Sequence, residues 1–214
     1  MRALIEPEPS PDCPLCPRLA AFRGENRAAH PDWHNAPVPS WGDPEPKLII
    51  VGLAPGLKGA NRTGRPFTGD YAGDLLYRTL LKFGLATGSY EQTPRDTLQL
   101  AGTRIVNAVR CVPPQNKPTP EEIKTCRSFL TEALAAHPET RVFLALGRIA
   151  HDSLLPALGE RRASYPFAHG AEHRLPDGRM LFDSYHCSRY NTNTGVLTEA
   201  MFEDVVDRAA AMIR

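Results

Sequence analysis

The sequence predicts an α/β domain: a central four-stranded parallel sheet with helices on both faces. Three observations carry this expectation. Four short apolar runs rich in β-branched residues recur along the chain, each short enough to be a buried strand. Stretches of helical periodicity separate them, and strands alternating with helices build parallel sheets. The composition, 42% hydrophobic and 23% charged over 214 residues, suits one folded domain with an appended segment and excludes global disorder.

The elements follow in order. Residues 1–46 hold ten of the 21 prolines, so they are expected to form neither a regular helix nor a central strand. The same segment holds Cys13, Cys16, Trp33 and Trp41, too much aromatic and thiol content for a disordered tail. An irregular segment pinned by a metal onto the main domain, residues 47–214, is expected. The first strand, 48–52, ends in Gly52. A helix over 73–83 carries Leu75, Leu76, Leu80 and Leu81 on one side. The second strand spans 104–109. Thr119-Pro120-Glu121-Glu122 opens a helix running to Ala136, with an N-cap, proline in the first turn and acids at the dipole's positive end. Strand 142–146, helix 148–158, strand 179–184 and helix 198–213 complete the alternation, and 191–195 reads as a loop. Ligands of such sheets bind beyond the carboxyl ends of the strands. The loops after Gly52, Val109, Leu146 and Tyr185 are therefore the ones to search.

Charge and hydropathy narrow the classes. The formal net charge is +1 and the pI about 7.7, below the range of proteins held to nucleic acid mainly by phosphate contacts. A local basic patch is still compatible with that balance. No apolar run approaches the roughly 20 residues of a membrane span. Met1 to Ser10 is acidic and proline-rich, without a signal peptide's apolar stretch. A cytoplasmic protein without a membrane partner is expected, acting as a monomer.

Five cysteines in such a chain argue for metal ligation over a disulfide framework. Cys13 and Cys16 form a C-x2-C pair. Cys111 and Cys126, fourteen residues between them, sit after a strand and on the following helix. Four thiolates suit tetrahedral zinc or a 4Fe–4S cluster, and spacing does not choose between them.

The loop from Gly52 to Asp70 is long and glycine-rich, and it lacks both the P-loop ending and GxGxxG. Glycines let backbone approach a ligand closely. Lys58, Arg62 and Arg65 suit phosphates, Phe67 suits a base, and Asp70 suits proton chemistry. In the last loop, Ser184-Tyr185-His186-Cys187-Ser188-Arg189-Tyr190-Asn191, His186 stands where catalytic side chains belong. His151, His169 and His173 have no comparable setting.

Together these stretches resemble the uracil-DNA glycosylase superfamily. Gly52-Leu53-Ala54-Pro55-Gly56, Pro66-Phe67-Thr68-Gly69-Asp70 and His186-Cys187-Ser188-Arg189-Tyr190-Asn191 carry the likeness, from Cys13 to Thr198. The Asn61-Arg62-Thr63-Gly64-Arg65 insert and the run Arg110 to Pro118 resemble family 5, the type B enzymes. The resemblance implies that Cys13, Cys16, Cys111 and Cys126 hold a structural 4Fe–4S cluster. It implies that Phe67 stacks on an extruded base at the edge formed by Gly52, Leu53 and Ala54, and that His186 faces the base's O2. Leu53 falls where family 4 carries a water-activating glutamate. The type B substitute is an aspartate in the following loop, here Asp70 or Asp74, with Asp70 favoured because Asp74 also suits the helix start. Asn116 matches an asparagine of type B sites. Two departures stand out: Asn107 occupies the place where family 4 reads the uracil edge, and Cys187 replaces the usual proline after the histidine.

The implied activity is monofunctional hydrolysis of uracil, with hypoxanthine and other damaged bases as further substrates, from DNA in base excision repair. Lys58, Arg62, Arg65, Lys117 and Ser188 are expected on the DNA, with Arg189 or Tyr190 as a wedge filling the vacated stack. Two other classes fit parts of the sequence. An iron–sulfur redox protein uses the cysteines but not Phe67, Asp70 and His186. A non-catalytic DNA-binding module has no use for a carboxylate in a basic loop.

Overall fold

A computed structural model describes residues 7–214; the first six residues of the acidic start lie outside the described residues. In chain order the elements are α1 (Pro17–Ala29), β1 (Trp41–Gly42), β2 (Leu48–Gly52), α2 (Ala60–Thr63), α3 (Tyr71–Lys82), β3 (Ala86–Thr87), β4 (Gln99–Leu100), β5 (Thr103–Asn107), α4 (Pro120–Ala135), β6 (Val142–Leu146), α5 (Arg148–Ala157), β7 (Glu172–Arg174), β8 (Met180–Ser184), α6 (Arg189–Asn193) and α7 (Glu199–Ala211).

The main sheet has six strands in the order β1-β5-β2-β6-β8-β7, not the four expected. The four apolar runs are its inner strands, β5, β2, β6 and β8, and they pair in parallel. Short antiparallel strands close both edges. The second sheet is the two-stranded β3-β4 hairpin.

Alternation along the strands sorts the core into two layers. Leu48, Ile50, Ile105, Leu144 and Phe182 pack with Leu76 and Leu80 of α3 and Phe202, Val205 and Val206 of α7. Their neighbours Ile49, Val51, Val106, Phe143 and Leu181 pack with Leu130 and Leu134 of α4 and Leu154 and Leu155 of α5. Each fully buried aliphatic or aromatic side chain contributes about 1.5–3 kcal/mol. The register brings the strand ends level: Gly52 faces Asn107, and Leu146 faces Ser184. One sheet edge therefore carries every loop of interest.

Two local expectations are corrected. The proline-rich segment contains a regular helix, the thirteen-residue α1, because no proline falls between Pro17 and Pro31 and Pro17 sits in the first turn, where its missing N–H costs nothing. Residues 191–195 are not all loop: α6 covers 189–193, capped by the Ser188 hydroxyl accepting from Asn191 N. The capping box at Thr119 and Glu122 is present as expected.

The segment before β2 is well anchored. Leu19 is 1% exposed and packs with Val109 and Cys126. Arg18 forms a bidentate pair with Glu122 of α4 (2.7 and 2.8 Å). Asn61 Nδ2 donates to Asn35 Oδ1 at 2.9 Å, tying this segment to the loop after β2. No helix among the described residues is long and apolar enough to cross a membrane.

Candidate active site

The β2–α3 loop is folded by interactions that leave a cleft at the sheet edge. Arg65, expected on DNA, is instead buried and holds the loop together. Its guanidinium donates to both carboxylate oxygens of Asp96 (2.7 Å each), its Nε donates to Thr68 Oγ1 (2.7 Å), and it lies 4.8 Å over the Trp41 ring. Such a side chain is committed and has no phosphate-binding role. Beyond it the chain turns through Phe67, held at φ +51°, outside the usual range for a bulky residue. The Tyr90 hydroxyl fixes that turn, donating to Phe67 O (3.2 Å) and accepting from Gly69 N (3.3 Å). Gly73 is required beneath it, since a Cβ there would run into the Phe67 carbonyl.

The cleft so formed has a volume of about 620 Å³. Phe67 and His186 face each other across it, their rings 5.9 Å apart and 27° from parallel. Leu53 and Ala54 line one wall and Asn107 the floor. Gly52 supplies the space behind: a Cβ would meet Asn107 Oδ1 and lie 2.8 Å from Phe67 Cζ. Asn107 is 3% exposed, and its Oδ1 is buried with no hydrogen-bond partner. An orphaned buried acceptor carries a desolvation cost that a donor in the cleft would remove.

His186 is held by its own backbone: Asn191 Nδ2 donates to His186 O at 2.8 Å. Burial pushes its imidazole down to about 4, so it is neutral near pH 7 and carries one N–H. Asp70 caps α3, its carboxylate accepting from Gly73 N at 3.4 Å. Burial raises its pKa above the ordinary value, opposed by the backbone N–H groups of Gly73 and Ala72 and reinforced by Asp74. Gly56 leaves room for this carboxylate, since a Cβ there would lie 2.8 Å from Asp70 Oδ2.

Asn116, Lys58, Ser188 and Arg189 complete the rim of the cleft. Arg189 lies 5.3 Å over the Tyr71 ring, and Tyr190, just beyond, is 74% exposed. Three expected residues lie elsewhere. Asp74 is outside the cleft wall and accepts from Gln92 Nε2 at 2.8 Å, which corrects its place among the candidate catalytic groups. Arg62 is exposed and faces a separate depression beside Trp33 and Arg95. Lys117 is exposed, with its carbonyl accepting from Arg18. Sequence reasoning missed Tyr90, Asp96 and Tyr71, because each acts through contacts distant along the chain.

Away from the cleft, Cys13, Cys16, Cys111 and Cys126 line one small cavity between α1, the segment after β5, and α4. All four are unpaired. Donors face the sulphurs: Arg110 N to Cys126 Sγ (3.3 Å) and Arg23 Nη1 to Cys111 Sγ (3.6 Å). Burial raises the Cys16, Cys111 and Cys126 thiols to about 11, and neighbouring cysteines add to each shift. Four thiols gathered in an otherwise apolar pocket fit a cationic metal group that would hold them as thiolates. A second group, His151, His173 and Asp183, is engaged internally: Asp183 accepts from His151 Nδ1 (2.7 Å) and His173 Nε2 (3.1 Å), and His151 Nε2 meets Tyr165 O (2.8 Å).

Comparison with known proteins accords with this arrangement. The model of the uracil DNA glycosylase superfamily matches residues 39–210. The chain is 50% identical to the type-5 uracil-DNA glycosylase of Thermus thermophilus, over 92% of both chains. It is 39% identical to the type-5 enzyme of Pyrobaculum aerophilum, over 94% of this chain and 88% of that one. The type-5 enzyme of Mycobacterium bovis is 40% identical, over 92% of this chain and 76% of its own. Likeness of this extent, carried through both sheet edges and the loops that wall the cleft, is inherited: the chain belongs to the uracil DNA glycosylase superfamily.

Proposed function

We propose that this protein is a monofunctional uracil-DNA glycosylase of the iron–sulfur type. It extrudes a uracil nucleotide from DNA and hydrolyses its N-glycosidic bond, leaving an abasic site for repair; hypoxanthine is a further substrate. The observation that carries the reading is the orphaned Oδ1 of Asn107 in the floor of the cleft. Uracil offers the missing donor at N3–H and an acceptor at O4 for the amide's other end. Cytosine offers a lone pair at N3 and leaves Oδ1 unpaired in this orientation of the amide, which disfavours it.

Each step follows from a side chain. The flipped base stacks on Phe67 with its O2 edge toward His186, and stacking offsets part of the cost of extrusion. As the bond to C1′ breaks, its electron pair passes to the base and charge builds on O2. Neutral His186 donates its N–H to that oxygen, supporting the charge as an oxyanion hole does. The sugar becomes cationic. Asp70, an anion in a half-buried setting, stabilises it and orients the attacking water, whose proton it takes. Asn116 assists at the rim. Lys58, Arg62, Lys117 and Ser188 hold phosphates, and Arg189 or Tyr190 fills the vacated stack.

Cys13, Cys16, Cys111 and Cys126 would hold a 4Fe–4S cluster, which supplies a rigid cross-link and takes no part in bond cleavage. Of the N-terminal segment, residues 1–46, the described part from residue 7 forms a clamp on the catalytic domain, 47–214. The enzyme works as a monomer in the cytoplasm.

A labelled duplex with one deoxyuridine tests this, treated with protein and then alkali. Wild type should give strand scission only after alkali; His186→Ala and Asp70→Asn should lose it by 100-fold or more, on the order expected for such groups, while Asp74→Asn retains it. Scission before alkali would refute a monofunctional mechanism. No release of uracil or hypoxanthine by wild type would refute the glycosylase reading.

A further inference from the structure

A shallow groove of about 290 Å³ adjoins the cleft on the far side of His186, sharing His186 and Leu53 as walls. It has no place in the chemistry above. Its other walls include Arg148, Ile149, Phe167 and Tyr185. Arg148 and Ile149 are exposed at the start of α5. Phe167 is fixed from beneath. It meets the His151 ring edge-on at 5.5 Å and lies 6.2 Å from Tyr185, and His151 is locked in turn by Asp183 and Tyr165. The Arg148 guanidinium lies over the ring at 5.1 Å. Among the described residues the groove lining includes no carboxylate.

We infer that this groove receives the nucleotide next to the extruded one, its base stacked on Phe167 and its phosphate paired with Arg148. The inference rests on the glycosylase reading. Three observations commit the groove to that occupant. It is continuous with the cleft through shared walls, so a strand whose uracil enters the cleft passes over it. A rigid aromatic face beside an exposed aliphatic side chain suits a planar base of any sequence. A lone cation without a competing carboxylate suits one phosphate. Arg148 then has two positions: over Phe167 in the free protein, and on the phosphate when the base takes its place. An exposed cation–π contact is weaker than a base–aromatic stack, so the exchange is favourable.

The test is a coupling cycle on uracil release at single turnover. Duplexes carry a tetrahydrofuran spacer, which lacks a base, immediately 5′ or 3′ of the deoxyuridine. Wild type and Phe167→Leu are compared on spacer and intact duplexes, each relative to itself, which cancels the spacer's effect on duplex pairing. On one flank the spacer should slow wild type about tenfold relative to its effect on Phe167→Leu, the loss of one stacked base. Phe167→Tyr should behave as wild type. Equal spacer effects in wild type and Phe167→Leu on both flanks would overturn the inference and leave the glycosylase intact. A wild type that releases no uracil from the intact duplex would mean that the underlying reading had failed. If Phe167→Leu does not fold, Arg148→Ala carries the test: the salt dependence of binding should fall by about one phosphate contact, and an unchanged slope would overturn the inference.

Discussion

Asp70 is held where its charge is unwelcome. Burial lifts its carboxyl above the ordinary 3.8, against the pull of the backbone N–H groups of Gly73 and Ala72. A carboxyl whose folded pKa is raised stabilises the fold below its unfolded pKa and loses that contribution as pH rises through the folded one. At neutral pH the ionised group is therefore a burden on the fold. Asp70→Asn keeps an oxygen to cap α3 and removes the charge. Its melting temperature should exceed wild type at pH 7, with the difference closing below pH 4, while uracil release falls by 100-fold or more. Melting curves across pH check it; a variant less stable than wild type at pH 7 would contradict it. The acid limb of the rate profile should lie above that of an ordinary aspartate, because burial raises the Asp70 carboxyl. At Asn107, replacement by Ala removes an orphaned acceptor and a reading group together. Uracil excision should fall by about 10–100-fold, the worth of one or two hydrogen bonds in a dry site, and stability should barely change. Paired rate and melting measurements separate the two effects.

Between elements, the buried triad of His151 on α5, Asp183 on β8 and His173 on β7 fastens the strand that leads into His186. Both His151 nitrogens face acceptors, Asp183 Oδ1 and Tyr165 O, an arrangement that favours the doubly protonated ring. Burial disfavours that cation, but the hydrogen bond and charge of Asp183 outweigh it and raise the pKa above 6.5. A raised histidine contributes stability fully below its unfolded pKa and loses it as pH climbs through the folded one. Unfolding free energy should decline from about pH 6.5 upward, and His151→Leu should abolish that slope while costing on the order of 3–5 kcal/mol. Denaturant titrations at stepped pH measure both. None of this triad was legible in the sequence, because its members lie on three elements and only the fold brings them together. Leu48–Gly52 and Val142–Leu146 were legible as five-residue runs buried throughout, and Thr103–Asn107 and Met180–Ser184 as shorter apolar stretches between polar residues. The edge strands were not: Glu172–Arg174 is polar, and its pairing is imposed by β8. That Phe67, Asp70 and His186 would share one cleft could be read because the loops that follow parallel strands meet at one end of the sheet. Arg65 was misread because its partner, Asp96, lies 31 residues away and nothing local marks the arginine as buried.

Across the whole molecule, the N-terminal segment reaches the active site by two routes. Cys111 follows β5 four residues after Asn107, so a cross-link at the thiol cavity bears on the strand end that carries Asn107 into the cleft. Asn35 bonds Asn61, in the loop that also presents Phe67. Hydrogen bonds and Leu19 hold the segment in place, but four thiols lining one cavity add nothing favourable unless a cation gathers them as thiolates. With a cluster bound, Cys13 and Cys126 close a loop of more than a hundred residues. By chain entropy such a closure is worth about 4–5 kcal/mol. In a protein of this size each kcal/mol moves the melting temperature by roughly 2–4 °C. Cys126→Ser, which weakens the cross-link without changing the cleft, should therefore melt lower by on the order of 10 °C or more. It should lose the brown absorbance and expose the segment around Pro31–Pro39 to protease. At a temperature where it stays folded, uracil release should suffer mainly in KM, since neither Asp70 nor His186 lines the thiol cavity. A wild type without brown absorbance, matched by the variant in melting and protease resistance, would show that the thiols bind no cluster and that packing alone holds the clamp. A variant that folds normally but loses kcat would instead place the cluster in the chemistry.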